Sequence, residues 1–381
     1  MKIAIVTTGD EIMAGDIADT NAAWMSQNCW QLGFPVVWKV SVGDNADAIA
    51  DACKEAAKRA DVVLVSGGLG PTVDDITLMA ALGAFNKDPK EGEILGNSVG
   101  TAPGLKIEMT PQGREKAIFF FFPGVPKELF AMFENFCLPW LKEKAKEIFY
   151  GERILKCFGI AEAKLDAMLR DVDLGPCVLS FRVPFPEVWI KVRFQGSDPK
   201  KGKVALEQAV LAIRKKADKF IFAEGDQTMS QAIGELLQKR GETMAIAESC
   251  TGGALMNCIT DIPGASQYFE RGVVSYSNES KRDLLGVKEE MITKSGAVSE
   301  ETVQAMTAGM KKSSGATYAI GISGLAGPSG GSPEKPVGTV FIGLATPTEV
   351  EVKKFSYPRD RREFKQLVSA TALFWLREKL L

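Results

Sequence analysis

Histidine is absent from all 381 residues. That removes the usual general base, and with it the serine–histidine and cysteine–histidine arrangements. The seven cysteines include no CxxC pair, so a structural zinc site is not expected. Any metal would be a hard ion on Asp, Glu and carbonyl oxygens. An odd, unpatterned cysteine set points to reduced thiols and a cytoplasmic protein. Large net charge is also missing. The formal value is −2, which argues against a nucleic-acid binder. Local basic clusters at Lys200, Lys201 and Lys203 and from Arg214 to Lys216 read as solvated loops and helix faces. No apolar run is long enough to span a bilayer, so no membrane partner is expected; Phe119 to Phe122 is short and Pro123 closes it. The start, MKIAIVTTGDE, has no basic leader or cleavage site and reads as a first strand.

What is present is an ordinary globular balance, 45% hydrophobic, with length for two or three domains. The first part alternates strand candidates (Ile3 to Thr7, Val36 to Val42, Val62 to Val65) with helix candidates (Asn21 to Leu32, Ala46 to Arg59). This rhythm predicts a mostly parallel sheet covered by helices, with ligands at the carboxyl ends of strands. From about Gly151 the pattern becomes a small α+β module. Its strands are expected at Val178 to Val183 and Val188 to Phe194, its helix at Gly202 to Ala217, and a further strand near Phe220 to Ala223. Gly225-Asp226 reads as a linker. The third part is expected to hold helices at Ser230 to Lys239, Glu300 to Lys311 and Arg362 to Lys379. Its strands are expected at Val273 to Tyr276, Tyr318 to Ile322, Gly338 to Ala345 and Val350 to Tyr357. The boundaries so drawn are 1–150, 151–225 and 226–381.

Two polar, glycine-rich loops follow strands of the first part. One is Thr8-Gly9-Asp10-Glu11, leading to Asp19 and Asn21. The other is Ser66-Gly67-Gly68-Leu69-Gly70-Pro71-Thr72, then Asp74-Asp75 and Thr77. Glycines let backbone approach a phosphate, and neighbouring acids can hold a divalent ion that bridges phosphate oxygens. The same acids also fit plain structural roles: Thr72 and Asp75 match a capping box, and Asp10 and Asp19 suit turns.

The third part carries Ala247-Glu248-Ser249-Cys250-Thr251-Gly252-Gly253 after the apolar run from Met244. A serine at a strand-to-helix corner is exposed on a rigid mount, with backbone N–H groups behind it for an oxyanion. It needs a base. Without histidine that base is sought in lysine, and Lys281 follows Tyr276-Ser277-Asn278 closely. Tyr276 is read as a relay or as a group that orients the lysine. Ser249 taken alone also reads as a helix cap, Lys281 as a surface lysine, and Cys250 as a rival nucleophile. Gly321 to Pro328 is a second strand-to-glycine loop, and Lys335 to Thr339 opens the next strand.

Gly9 to Ile12, Asp19 to Asn21, Ser66 to Thr77, Gly100 to Gly104 and Phe122 to Glu128 resemble the molybdopterin-binding-like domain of the competence/damage-inducible protein family, CinA. The stretches Glu248 to Gly253, Ile262 to Ser266, Phe269 to Gly272, Tyr276 to Asn278 with Lys281, Gly296 to Ser299, Gly324 to Pro328 and Lys335 to Thr339 resemble its C-terminal domain. That domain is similar to nicotinamide-nucleotide amidase. The resemblance implies an α/β chain with a three-layer molybdopterin-binding-like domain, a small KH-like α+β module and an α/β amidase domain. It implies hydrolysis of nicotinamide mononucleotide to the acid and ammonia, with Ser249 as nucleophile and Lys281 and Tyr276 activating it. Thr251, Gly252, Gly253, Asn278, Gly324, Thr339 and Arg361 are the substrate-binding candidates there. For the first part it implies metal-dependent hydrolysis of ADP-ribose. Gly9, Asn21, Gly67, Gly68, Gly70, Thr72 and Thr77 would bind substrate, and Asp10, Glu11, Asp74 and Asp75 would hold the divalent ion; the amidase takes no cofactor. A homodimer is expected from the likeness alone. Ser329 departs from the family's acidic residue or glycine, and the segment between Thr77 and Asn97 is shorter than the family pattern. Two rival readings remain: an amidase whose first domain is an inactive dimerisation module, and a non-catalytic protein that binds a molybdopterin-like ligand or a partner.

Overall fold

The computed structural model describes residues 1–72, 75–113, 115–145 and 148–381. It forms two compact units, Met1–Gly151 with Arg193–Leu206, and Glu152–Val192 with Glu207–Leu381. The residues assigned above to a 151–225 module therefore divide between the two.

The first unit is built on a six-stranded sheet. Edge to edge it runs Val36–Val42, Ile3–Thr8, Val62–Ser66, Ala117–Phe122, Gly104–Met109 and Glu93–Leu95. The first four strands are parallel, and the last two turn antiparallel. Ile3–Thr8 and Val62–Ser66 are buried at every position, as expected for central strands covered on both faces. One face packs on Ala46–Arg59, whose Ile49, Cys53 and Ala56 enter the core. The other packs on Thr20–Gln31 through Met25 and Cys29. Asp19 and Asn45 start these two helices by accepting the N–H of Ala22 and Ala48. The four parallel strands end on the same edge, and Gly9, Asp44, Gly67 and Pro123, which follow them, line one cleft.

A smaller four-stranded sheet has the order Ile221–Glu224, Phe149–Cys157, Val188–Gly196, Val178–Arg182. Val188–Phe194 alternates buried and part-exposed residues, the pattern of a sheet wet on one face.

The second unit's five-stranded sheet runs Phe269–Val274, Met244–Glu248, Tyr318–Gly324, Thr339–Ala345, Val350–Ser356. The first three are parallel and the rest antiparallel. Glu300–Ser314 lies against this sheet through Val303, Met306 and Met310, and Ser299 caps it by accepting from Thr302 N. Arg361–Leu380 covers the other side with Phe364, Val368 and Leu376. One expected strand shifts. Val273 to Tyr276 was read as a strand, but the strand is Phe269–Val274, and the chain then enters a helix at Asn278–Leu285. The edge strand is mostly exposed and carries Glu270 and Arg271, which hide its alternation. Among the described residues no helix is long and apolar enough to cross a membrane.

Candidate functional site

The second unit holds the more complete site. Met244–Glu248 is fully buried and ends level with Phe269–Val274, while Tyr318–Gly324 runs two residues further. Ser249 sits just past it, pinned by its own N–H to Ile322 O at 3.0 Å. The turn then passes through Gly252 (φ 60°) and Gly253 (φ 93°), a left-handed path that favours glycine, into the helix Ala254–Thr260.

Lys281 arrives from the helix Asn278–Leu285, which Ser277 caps by accepting Ser280 N. Its side chain turns inward and is 1% exposed. Nζ donates to Ser249 Oγ at 3.0 Å, to Ser275 O at 2.9 Å and to Tyr276 O at 3.4 Å. No carboxylate pairs with it among the described residues. Burial therefore holds its pKa below the ordinary lysine value, because the charged form loses hydration without gaining a counter-ion. A lysine so placed can take the serine proton. Cys250, also buried, is pushed up to about 12 by desolvation, so its thiol stays protonated and is a poor nucleophile.

A cavity of about 280 Å³ opens in front of this pair. Ser249, Cys250, Tyr276, Asn278, Lys281, Ala297, Val298, Ser323, Gly324 to Gly327, Ser329 and Arg361 line it. Among the described residues its ionisable side chains, apart from the Cys250 thiol and the Tyr276 phenol, are Lys281 and Arg361. Arg361 spans the rim, donating to Gly327 O at 3.0 Å and to the Tyr276 hydroxyl at 2.8 Å.

Three expectations need correction here. Tyr276 is not a relay to the lysine: the residue is 57% exposed, its phenol is bonded to Arg361, and its carbonyl is what meets Lys281. The N–H groups of Gly252 and Gly253 are already spent. Gly252 N donates to Ser249 O, and Gly253 N donates to Glu248 Oε2. Neither glycine lines the cavity, nor do Thr251 or Thr339, both buried. Thr339 O instead accepts Leu325 N and so supports the Gly324–Gly327 loop. Sequence reasoning singled out neither Ser323 nor Ser275. Both lie just past or at the carboxyl end of a parallel strand, which is the signal that could have found them.

The first unit's cleft has a cavity of about 490 Å³, lined by Thr8, Gly9, Glu11, Asp44, Gly67 to Gly70, Asp75, Thr101, Ala102, Pro123 to Val125 and Glu128. Gly9, Gly67, Gly68, Gly70, Glu11 and Asp75 thus meet on one cavity. Asn21 lines a smaller adjoining pocket and donates to Ser66 Oγ at 3.0 Å and Gly124 O at 2.7 Å. Thr77 does not face ligand: it is fully buried, with its hydroxyl 2.8 Å from that of Thr8 and its N–H on Gly68 O. Thr72 is exposed and spends its hydroxyl and N–H on Asp75 Oδ2. Partial desolvation opposes ionisation of Asp75, but these bonds and the Gly70 backbone outweigh it and hold the carboxyl below its usual value.

The metal assignment fares differently. Asp10 exchanges two bonds with Asp44, side chain to backbone in each direction, and is absent from the cavity lining. Asp74 lies outside the described residues. Among the described residues no group of three or more potential ligands comes together. Of the three expected acids that are described, Glu11 and Asp75 line the cavity and Asp10 does not. Asp44 and Glu128, not singled out as ligands, are the acids the fold adds to Glu11 and Asp75.

Two mixed α/β units, each with a polar cleft at the carboxyl edge of its parallel strands, define the class: a multidomain α/β protein with two candidate ligand sites. Comparison with known proteins gives the family. Residues 226–380 match the CinA C-terminal domain, and residues 4–143 match the probable molybdopterin binding domain. A CinA-like protein of Geotalea uraniireducens (strain Rf4) is 36% identical over 416 residues, covering 100% of this chain and 98% of that protein. A CinA-like protein of Syntrophotalea carbinolica (strain DSM 2380 / NBRC 103641 / GraBd1) is 37% identical over 414 residues, with 100% and 98% covered. A solved structure of the competence damage-inducible protein A (ComA) from Klebsiella pneumoniae subsp. pneumoniae MGH 78578 is similar at 35% identity, over 40% of this chain and 94% of that one, with a TM-score of 0.39. The chain belongs to the CinA family. These alignments are longer than the 381-residue chain, so the relatives carry segments that it lacks.

Proposed function

We propose that the second unit is a serine–lysine amidase that hydrolyses nicotinamide mononucleotide to nicotinate mononucleotide and ammonia. The observation that carries this reading is the 3.0 Å contact between Lys281 Nζ and Ser249 Oγ, beside a cavity whose described lining holds Arg361 and no acid. In the proposed reaction Ser249 Oγ attacks the amide carbon and its proton passes to Lys281 Nζ. The C–N bond breaks, the same proton goes to the leaving nitrogen, and ammonia departs. Water, giving a proton to Lys281, then attacks the ester carbon; the acid leaves and the proton returns to Ser249 Oγ. Arg361 supports a mononucleotide substrate, because a guanidinium at the rim suits a phosphate. Incubation of the purified protein with nicotinamide mononucleotide tests the reading. A product one mass unit heavier, with equimolar ammonia, is expected. Unchanged substrate under conditions where the protein is folded overturns it.

For the first unit we propose binding of ADP-ribose. The glycine loops Gly9 and Gly67 to Gly70 offer backbone to a diphosphate, and a cavity of about 490 Å³ falls within the usual range for small-molecule sites. Calorimetry with ADP-ribose tests this; absence of heat at millimolar ligand removes it.

A further inference from the structure

We infer that Glu248 is a positioning residue for the Ser249–Lys281 pair, acting through the backbone that carries both. The inference rests on the reading of Ser249 as nucleophile. Glu248 is 0% exposed, an expensive place for a carboxyl group unless its oxygens are well bonded. They are: Oε2 accepts Gly253 N at 2.8 Å and Oε1 accepts Met256 N at 2.7 Å. Both bonds reach over Ser249 to the far side of its turn. That turn contains two successive left-handed glycines, the residues that resist distortion least. The carboxylate is the strap that closes it.

The other end of the same residue holds the lysine's seat. Glu248 O accepts Ser275 N at 2.8 Å and the Ser275 hydroxyl at 3.4 Å. Ser275 O in turn accepts Lys281 Nζ. One residue therefore fixes the serine's turn through its side chain and the lysine's acceptor through its carbonyl. It touches no part of the cavity, so it bears on the placement of the nucleophile and not on contact with substrate.

The Glu248→Gln variant separates the two. Its amide keeps one acceptor oxygen but turns an NH2 toward a backbone N–H, so one strap bond is lost. The probe is a fluorophosphonate, which needs no nicotinamide substrate: Ser249 Oγ bonds to phosphorus, the P–F bond breaks, fluoride leaves and the serine proton passes to Lys281. Labelling at Ser249 is followed by mass spectrometry on the full chain, beside kcat and KM for ammonia release. Labelling and kcat are each expected to fall about ten- to a hundredfold, the cost of a nucleophile misplaced by about 1 Å, with KM within about threefold. Glu248→Asp, too short to reach both N–H groups, is expected to lose labelling and kcat to a similar extent. Wild-type labelling in Glu248→Gln, or a loss carried by KM alone, overturns the inference. So does a variant that loses its helical signal, since that makes Glu248 a folding residue. Wild-type labelling at Ser249 without ammonia release refutes the substrate proposed above and leaves the inference standing.

Discussion

At the scale of single residues the account turns on where one proton sits. Among the described residues Lys281 has no carboxylate partner, and burial holds its pKa below 10.5, the ordinary value, so it loses its proton more readily than an exposed lysine. The base is active only when neutral. Ammonia release should therefore rise with pH as Lys281 deprotonates, and this limb should lie below the range of an exposed lysine. The stability sign agrees: between the lowered folded value and the unfolded one, the unfolded chain binds the extra proton, so this group's contribution rises with pH. Lys281→Ala should lower kcat by about a thousandfold or more, as removal of a general base does in other acyl-transfer sites. A pH–rate series on wild type and variant checks both points; a variant that keeps most of its rate excludes Lys281 as base. Ser249 and Lys281 were legible in the sequence because the glycine turn is local and the missing histidine narrows the choice of base. The partner of the Tyr276 phenol was not legible. Arg361 lies 85 residues away, and no local pattern announces such a meeting.

At the scale of elements, the helix Asn278–Leu285 has to deliver Lys281 at a fixed depth. Its depth is set by Glu300–Ser314, which crosses it closely at Gly309. A Cβ there would meet Leu285 O at 1.9 Å and Leu285 C at 2.8 Å. These are backbone atoms, so the two helices must move apart. Gly309→Ala should cost about 1–3 kcal/mol by overpacking, outweighing the gain in helix propensity, and should lower the rate because Lys281 moves with its helix. Urea unfolding and ammonia release on the same sample check this. A variant as stable and as active as wild type would show that the crossing does not set the lysine's position. Strand and helix positions were mostly readable: Val36–Val42 and Ala46–Arg59 fall where the periodicity puts them. Phe269–Val274 was misread because it is an edge strand with charged residues at its centre. The oxyanion donors were misread for another reason. Sequence spacing shows Gly252 and Gly253 behind the serine but not that Glu248 and Ser249 O already use their N–H groups.

At the scale of the whole molecule, the two clefts differ in charge. Among the described residues the first is lined by Glu11, Asp44, Asp75 and Glu128 and by no lysine or arginine; the second is lined by Lys281 and Arg361 and by no acid. Proton transfer between serine and lysine needs no metal ion. A chelator should therefore leave ammonia release within about twofold of the untreated rate, measured on the full chain; a chelator-sensitive amidase would contradict the serine–lysine scheme. The acidic loops were legible as a polar site, yet the placement of Asp10 was not, because it bonds to Asp44 and stays off the cavity lining. Spacing along the chain gave no sign of that pairing.

The measurement that tests the central claim most directly is ammonia release from nicotinamide mononucleotide by wild type, Ser249→Ala and Cys250→Ala, with the covalent intermediate sought by intact mass after rapid acid quench. The account predicts turnover by wild type, a loss of at least about a thousandfold in Ser249→Ala, and a Cys250→Ala variant near wild type. It also predicts an acyl adduct that maps to Ser249. A dead Cys250→Ala beside an active Ser249→Ala would contradict it.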